Sequence, residues 1–443
     1  MNNYKVGDLL SRVKDSIDIV DNKEYKRVTI KSKNQGICLR DIKSGSQIGT
    51  KKQFLIKSGQ FLLSKIDARN GAFGIVPSEL DSAIITGNFW TYEIKDELLN
   101  IEWFNLFVSS ANFINICEKS SSGTTNRKYL DEKLFLDFNI ELPSLEEQTK
   151  IVNVYKEKNE KYKNCLYEID NQLFILSELK NQILKEAVEG NLIKSNVSNK
   201  SIRLDIEDMK REKERLIKAK VIKKEPSLPE IEEKDIYFEI PDSWEWVRLG
   251  DICSYIQRGK SPKYSDIEKF PVISQKCIQW SGFEIEKAKF IDPDTLSKYT
   301  EERFLKTGDL LWNSTGLGTL GRINMYDESY NPYEVAIADS HVTVIRPFSD
   351  YVNSKYILYW LSGPIVQSEI VSKSSGSTKQ KELYATTIKE YLIPLPSLEE
   401  QNKIVCKVEK LLDNLKLLEM KTIDSKQRIE NIMYKILEEE FSQ

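Results

Sequence analysis

The string LPSLEEQTKIV, Leu142 to Val152, returns as LPSLEEQNKIV, Leu395 to Val405, 253 residues further along a chain of 443. Two near-identical strings of this length in one chain mark an internal repeat. The segments just upstream keep the offset: SSGTTNRKYL begins at Ser121 and SSGSTKQKEL at Ser374, so Gly123 and Gly376 precede Pro143 and Pro396 by the same distance. Earlier in each copy the frame drifts. Gly7-Asp8 pairs with Gly250-Asp251, Gly59 with Gly308 and Gly74 with Gly321, at offsets of 243, 249 and 247. The chain reads as one unit used twice, with insertions that differ.

Each unit is expected to be a globular segment of roughly 145 residues closed by a long helix. Short β-rich runs (FLLSKID from Phe61, AIITGNFWTYEI from Ala83, DLLWNS from Asp309, HVTVIRP from His341) give the fold class as α/β or α+β. Both long helices start at serine. Ser144 and Ser397 follow a proline and precede Leu-Glu-Glu, a capping-box pattern whose carboxylates face the positive end of the helix. The expected divisions are 1–143, a first globular domain; 144–195, a helix; 196–245, a charged helix and linker; 246–396, a second globular domain; and 397–443, a closing helix.

A 4-3 spacing from Ile404 runs through Val408, Leu411, Leu415, Leu418, Thr422, Ser425, Ile429, Ile432 and Ile436, eight of the ten apolar. The same register in the first copy gives Ile151, Tyr155, Lys158, Tyr162, Cys165, Ile169, Gln172, Leu176, Leu179 and Ile183. These are two matched coiled-coil seams. A helix of ~40 residues is ~60 Å long, more than one small domain can cover. The two helices are therefore expected to pack on each other. Antiparallel packing would relate the units by an approximate two-fold axis.

Composition removes several function classes. The charge balance, 65 basic against 68 acidic residues, gives a net charge of −3, so any nucleic-acid binding must come from a local basic face. No stretch approaches the ~20 apolar residues of a membrane span, and the N-terminal MNNYKVGDLLSRVKDS is amphipathic and charged. A soluble cytoplasmic protein is expected. Six scattered cysteines and one histidine, His341, argue against a zinc site or a disulfide framework. Between the copies, Met209 to Lys224 holds eight basic and two acidic residues and reads as a solvated helix, followed by an acidic, proline-bearing extended linker.

Motifs for chemistry are scarce. Gly316-Leu-Gly-Thr-Leu-Gly321 matches G-x-G-x-x-G, but no amphipathic helix begins there, so a structural or DNA-facing loop is the better reading. Asn331-Pro-Tyr333 lacks one proline of the N-P-P-Y pattern of amino-methyltransferases and reads as a turn. His341 has neither a nucleophile elbow nor a metal motif beside it. No Asp/Glu/Lys cluster of nuclease type recurs in both halves.

What does recur is polar and basic. Thr125, Asn126, Arg127 and Lys128 in the first copy, and Thr378, Lys379, Gln380 and Lys381 in the second, lie in segments flanked by aromatics. Their side chains suit phosphate and base-edge contacts. A second surface is expected in the first copy from Lys31, Arg40, Lys51 and Lys52, with Lys65, Arg69 and Asn70 beside Gly71. In the second copy Arg258, Lys260 and Lys263, with Asn313 and Thr315, take the corresponding part.

The repeated LPSLEEQ-x-KIV, together with AVEGNLIK (Ala187 to Lys194), REKERLIK (Arg211 to Lys218) and PDSWEWVRLGDI (Pro241 to Ile252), resembles the specificity subunits of type I restriction-modification enzymes along the whole chain. The resemblance implies two target-recognition domains, each reading half of an interrupted, asymmetric site on double-stranded DNA, with the helices as a ruler. It implies a chain without catalysis of its own. Two methylation subunits would dock on the helices, and two restriction subunits can join them. S-adenosylmethionine, ATP and magnesium would then bind to those partners and no cofactor to this chain. The competing readings are a duplicated coiled-coil scaffold and a DNA-binding chain with cryptic nuclease activity.

Overall fold

The computed structural model describes residues 2–124, 127–193, 202–376 and 381–441. It divides into two compact units, 1–171 with 422–443, and 172–421. The sheets are mixed, largely antiparallel, and joined to helices, as the sequence class requires.

In the first unit a four-stranded antiparallel sheet runs in the order Leu10–Val13, Phe89–Ile94, Phe61–Ser64, Phe73–Ile75. A second sheet of five strands places Ser16–Asp18, Lys52–Leu55, Ile84–Ile85, Glu24–Ile30 and Ile37–Ser44 side by side. The opening strand Asn2–Lys5 pairs with Asn139–Leu142, immediately before the long helix, so the unit closes on itself. Phe61, Phe73, Phe104, Phe113 and Phe135 form an edge-to-face aromatic core against the helices Ile101–Val108 and Ala111–Lys119. Such rings contribute both area and ring-quadrupole terms.

The second unit repeats this plan. Its four-stranded sheet runs Cys253–Arg258, Val342–Pro347, Leu310–Asn313, Ile323–Met325, the same order and sense. Glu245–Arg248 pairs with Leu392–Leu395 before the second long helix, as the opening strand does in the first unit. Register corrects one sequence pairing. Leu62 faces Gly74 while Leu311 faces Asn324, so the counterpart of Gly321 is Gly71, not Gly74. The backbone explains why glycine is needed there: Gly71 and Gly321 both sit at positive φ, 76° and 92°.

The long helices are Leu145–Val188 and Leu398–Phe441. Ser144 and Glu147 complete a reciprocal capping box, Ser144 N donating to Glu147 Oε2 at 3.0 Å and Glu147 N to Ser144 Oγ at 3.3 Å. The bond from Ser144 N, and after it one from Ser144 Oγ to Glu147 Oε2 at 3.1 Å, hold the Glu147 carboxyl below its ordinary value. Ser397 Oγ accepts from Glu400 N at 3.4 Å.

In the first unit Ile151, Tyr155 and Tyr162 are half-buried and Ile169 is buried, while Asp170 binds Lys426 of the other helix's last turns at 2.8 Å. In the second, Ile183 shares a core cluster with Ile404 and Val408, with Leu411 and Leu415 packed against it. The start of each helix thus shares a unit with the end of the other. Leu176, Ile429 and Ile436 are half-buried.

The seam departs from a strict heptad at six positions. Cys165, Gln172, Leu179, Leu418, Ser425 and Ile432 are exposed, and Met433, not Ile432, is buried. An α-helix that is not supercoiled to 3.5 residues per turn drifts ~20° per heptad, which moves the buried face one residue on.

The segment between the copies is not a free linker. Helix Ile202–Lys218 buries Ile202 and Met209 in the second unit's core. Arg248, itself buried, donates to Pro229 O, Glu230 O and Glu390 O at 2.7, 2.9 and 2.8 Å and clamps the extended strap to the domain. No helix among the described residues is long and apolar enough to cross a membrane.

Candidate nucleic-acid interface

The two recurring loops dock on the same strand end. In the first unit the hairpin Ser121–Thr124/Arg127–Leu130 is tied to Phe61–Ser64 by Leu130 N donating to Lys65 O at 2.8 Å, and Lys65 N donates to Asn88 O at 3.0 Å. In the second, Leu383 N donates to Ser314 O at 2.8 Å, and Ser314 N to His341 O at 3.0 Å. Lys65 with Ser314, and Asn88 with His341, therefore hold equivalent backbone positions. One scaffold carries different side chains in the two units.

Around the first junction Lys65 lies 5.9 Å from the Tyr129 ring, a cation–π contact across to the hairpin. The turn after Glu24–Ile30 is pinned to the same place: Lys33 N donates to Asn70 O at 2.7 Å and Asn34 N to Gly71 O at 3.0 Å. A Cβ on Gly71 would lie 2.5 Å from Asn34 Oδ1, so glycine permits the close approach. Lys31 and Asn70 are exposed, Lys128 is half-buried, and the buried Nε of Arg69 meets no acceptor among the described residues. The structure thus gathers Lys31, Lys65, Arg69, Asn70 and the Lys128 hairpin.

Other first-unit candidates lie elsewhere. Arg40 is exposed at the bulge opposite Arg27/Val28. Lys52, also exposed, is on a strand separated from Ile37–Ser44 by two others. Lys51 is committed to structure, its ammonium on Asp21 Oδ1 at 2.5 Å and Gly45 O at 2.8 Å.

At the second junction the glycine loop holds no nucleotide fold, because the strand Ile323–Met325 follows it and not a helix. Gly316 N instead donates to Lys381 O at 2.9 Å, seating the recurring loop. Thr315 Oγ1 lies 2.7 Å from His341 Nδ1 and accepts from Gln275 Nε2 at 3.1 Å. Arg258 pairs with Glu382 and donates to Ser340 O at 2.7 Å. Asp339 orders the neighbourhood, accepting from His341 N at 3.0 Å and from the Tyr264 hydroxyl at 2.7 Å. Burial, with Asp339 beside it, raises the Tyr264 phenol above its ordinary value.

Lys260 is exposed, 5.7 Å from the Tyr299 ring, whereas Lys263 is held by Asp292 at 2.7 Å, a bond that raises its ammonium above the ordinary value. Asn313, expected on the surface, is fully buried with Nδ2 on Gln275 O at 3.3 Å. Every residue of its strand, Leu310–Asn313, is buried, so both faces of the strand are covered one place before the junction. Thr125, Asn126, Thr378, Lys379 and Gln380 lie outside the described residues, as does the side chain of Arg127. Sequence reasoning missed Asn88. The signal was its place just before a β-run, where His341 stands in the other copy.

Asn331-Pro-Tyr333 forms a turn, Asn331 Nδ2 donating to Glu334 O at 2.7 Å and its Oδ1 accepting from Tyr333 N at 3.0 Å.

Two solved structures share the fold of the whole chain. The HsdS subunit from Thermoanaerobacter tengcongensis aligns over 99% of this chain and 96% of its own, with TM-score 0.56 and 17% identity. A chain from work on complex assembly and conformational transition of the type I R-M system aligns over 99% and 97%, with TM-score 0.61 and 17% identity. The architecture is therefore that of a duplicated HsdS-like chain. The type I restriction modification DNA specificity domain family matches residues 2–160 and 241–429, and this chain belongs to that family. Among curated relatives, the EcoAI specificity subunit of Escherichia coli is 29% identical over 257 residues, 57% of this chain and 42% of that protein, so the chain spans less than half of that relative's length.

Proposed function

We propose that this chain is the DNA-reading subunit of a type I restriction-modification complex, each unit reading one half of a bipartite asymmetric site on double-stranded DNA. The observation that carries the reading is the shared backbone junction, Leu130–Lys65–Asn88 in one unit and Leu383–Ser314–His341 in the other, dressed with different side chains. A common scaffold holds the two loops alike, and differing side chains give each half its own sequence. Lysine and arginine around the junctions supply the phosphate contacts that set register and salt dependence.

The long helices serve as the ruler between half-sites and as the docking ground for two methylation subunits, to which two restriction subunits can add. Exposed Tyr167, Phe174, Ile175, Leu417 and Ile423 give those helices apolar surface for partners. The chain itself performs no catalysis. S-adenosylmethionine, ATP and magnesium bind to the partners, and the assembled complex works in the cytoplasm.

The test is to co-express the chain with its methylation partner and map methylated adenines on genomic DNA, with the chain deleted as control. A bipartite motif that disappears on deletion is the expected result. A stable complex without chain-dependent methylation would send the assignment to the scaffold reading.

A further inference from the structure

Resting on that reading, we propose that Asn88 and His341 are specificity-determining residues, each presenting its hydrogen-bonding edge to a base in its own half-site. Three observations converge on this pair. Their carbonyls accept the same backbone bond, from Lys65 N and Ser314 N, both at 3.0 Å, at the strand end where the recurring loop docks. Both side chains are exposed. Beside Asn88 stands Lys65, a cation of the first junction where a phosphate contact would hold a duplex in register, and beside His341 the Arg258–Glu382 pair braces the strand end through Ser340 O.

The second junction also orients the His341 ring. Thr315 Oγ1 accepts from Gln275 Nε2 at 3.1 Å and lies 2.7 Å from His341 Nδ1, a contact across which either atom can donate. His341 N is meanwhile tied to Asp339 Oδ1 at 3.0 Å, so the backbone beneath the ring is fixed as well. Nε2 is then the nitrogen left to face a base, and in the tautomer that carries its proton there it suits the acceptors of the major groove, guanine O6 and N7, adenine N7 or thymine O4.

Among the described residues Asn88 has no such relay. Its carboxamide offers a donor and an acceptor together, the pair that matches adenine N6 and N7 in bidentate fashion. The two units would thus read different base chemistry from one backbone position.

The test uses the full chain in complex with its methylation partner, bound to duplex libraries randomised in one half-site at a time. His341→Ala should reduce the preference at one base position of the second half-site about tenfold and leave the first half-site unchanged. Asn88→Ala should do the reverse. Thr315→Val deletes only the hydroxyl that orients the ring and should weaken the same position as His341→Ala by several-fold, which keeps the assignment testable if His341→Ala does not assemble. Unchanged preferences in these variants, beside a normal wild-type motif, overturn this assignment alone. A wild-type complex with no base preference at all overturns the DNA-reading function and this assignment with it.

Discussion

Gln148 Oε1 accepts from Asn100 N at 2.8 Å, and Gln401 Oε1 accepts from Asn353 N at the same 2.8 Å. The likeness extends to every bond. Gln148 Nε2 donates to Leu98 O and Pro143 O at 3.0 and 2.9 Å, and Gln401 Nε2 to Tyr351 O and Pro396 O at 3.2 and 2.9 Å. Both glutamines are fully buried. Asn100 and Asn353 in turn cap the helices Ile101–Val108 and Ser354–Ser362. One side chain therefore locks the first turn of each long helix to the cap of a helix in its own domain, which sets the direction in which the long helix leaves.

Gln401→Leu, and equally Gln148→Leu, should lower stability by roughly 2–4 kcal/mol, because buried backbone groups lose their partners without water to replace them. Denaturant unfolding of the purified complex reads this. A loss below about 0.5 kcal/mol would show that the clasp is dispensable.

The register of the closing helix separates two neighbours. Met433→Ala should cost about 2 kcal/mol, as a buried side chain truncated in a packed interface does. Ile432→Ala, on an exposed position, should stay within about 0.5 kcal/mol. Thermal unfolding with the order of the two effects reversed would restore the strict heptad seam.

Salt titration of DNA affinity distinguishes available cations from committed ones. Lys65→Ala and Lys128→Ala should each weaken binding and reduce the salt slope by about one. Lys51→Ala and Lys263→Ala should leave the slope unchanged, since Asp21 and Asp292 already hold those ammonium groups. A slope lowered by the second pair and not the first would relocate the phosphate track.

Arg27 grips Asp41 with two bonds of 2.7 Å across the Glu24–Ile30/Ile37–Ser44 hairpin. The bond from Arg27 holds the Asp41 carboxyl below its ordinary value of 3.8. A depressed folded value means the pair stabilises the protein above that ordinary value, and the contribution disappears as pH falls through the folded one. The stability difference between wild type and Asp41→Asn should accordingly be constant from pH 7 to about 5 and shrink towards pH 3. A difference that grows on acidification would reverse the sign and refute the pairing. The measurement is a set of urea midpoints across this range.

Much of the architecture was legible in the sequence because it rests on local rules. Ser144 and Glu147 cap a helix within four residues of each other, and the apolar spacing from Ile404 to Leu415 marks the buried face without knowledge of a partner. The candidate site was legible in part. Lys65, Arg69, Asn70 and Lys128 do converge, whereas Asn313 lies on a strand covered on both faces and Lys51 found Asp21, because strand burial and long-range ion pairs depend on neighbours far away in the chain.

By itself the sequence determined the duplication, the two capped helices and the β-rich character of each copy, all written in strings, offsets and periods that need only adjacent residues. Tertiary structure alone decided that Gly71 answers Gly321, that Asn88 stands where His341 stands, and that Arg248 straps the connecting segment to the second unit. These are strand registers and buried hydrogen bonds between residues distant in sequence, and they are fixed only when the sheets pair and exclude water.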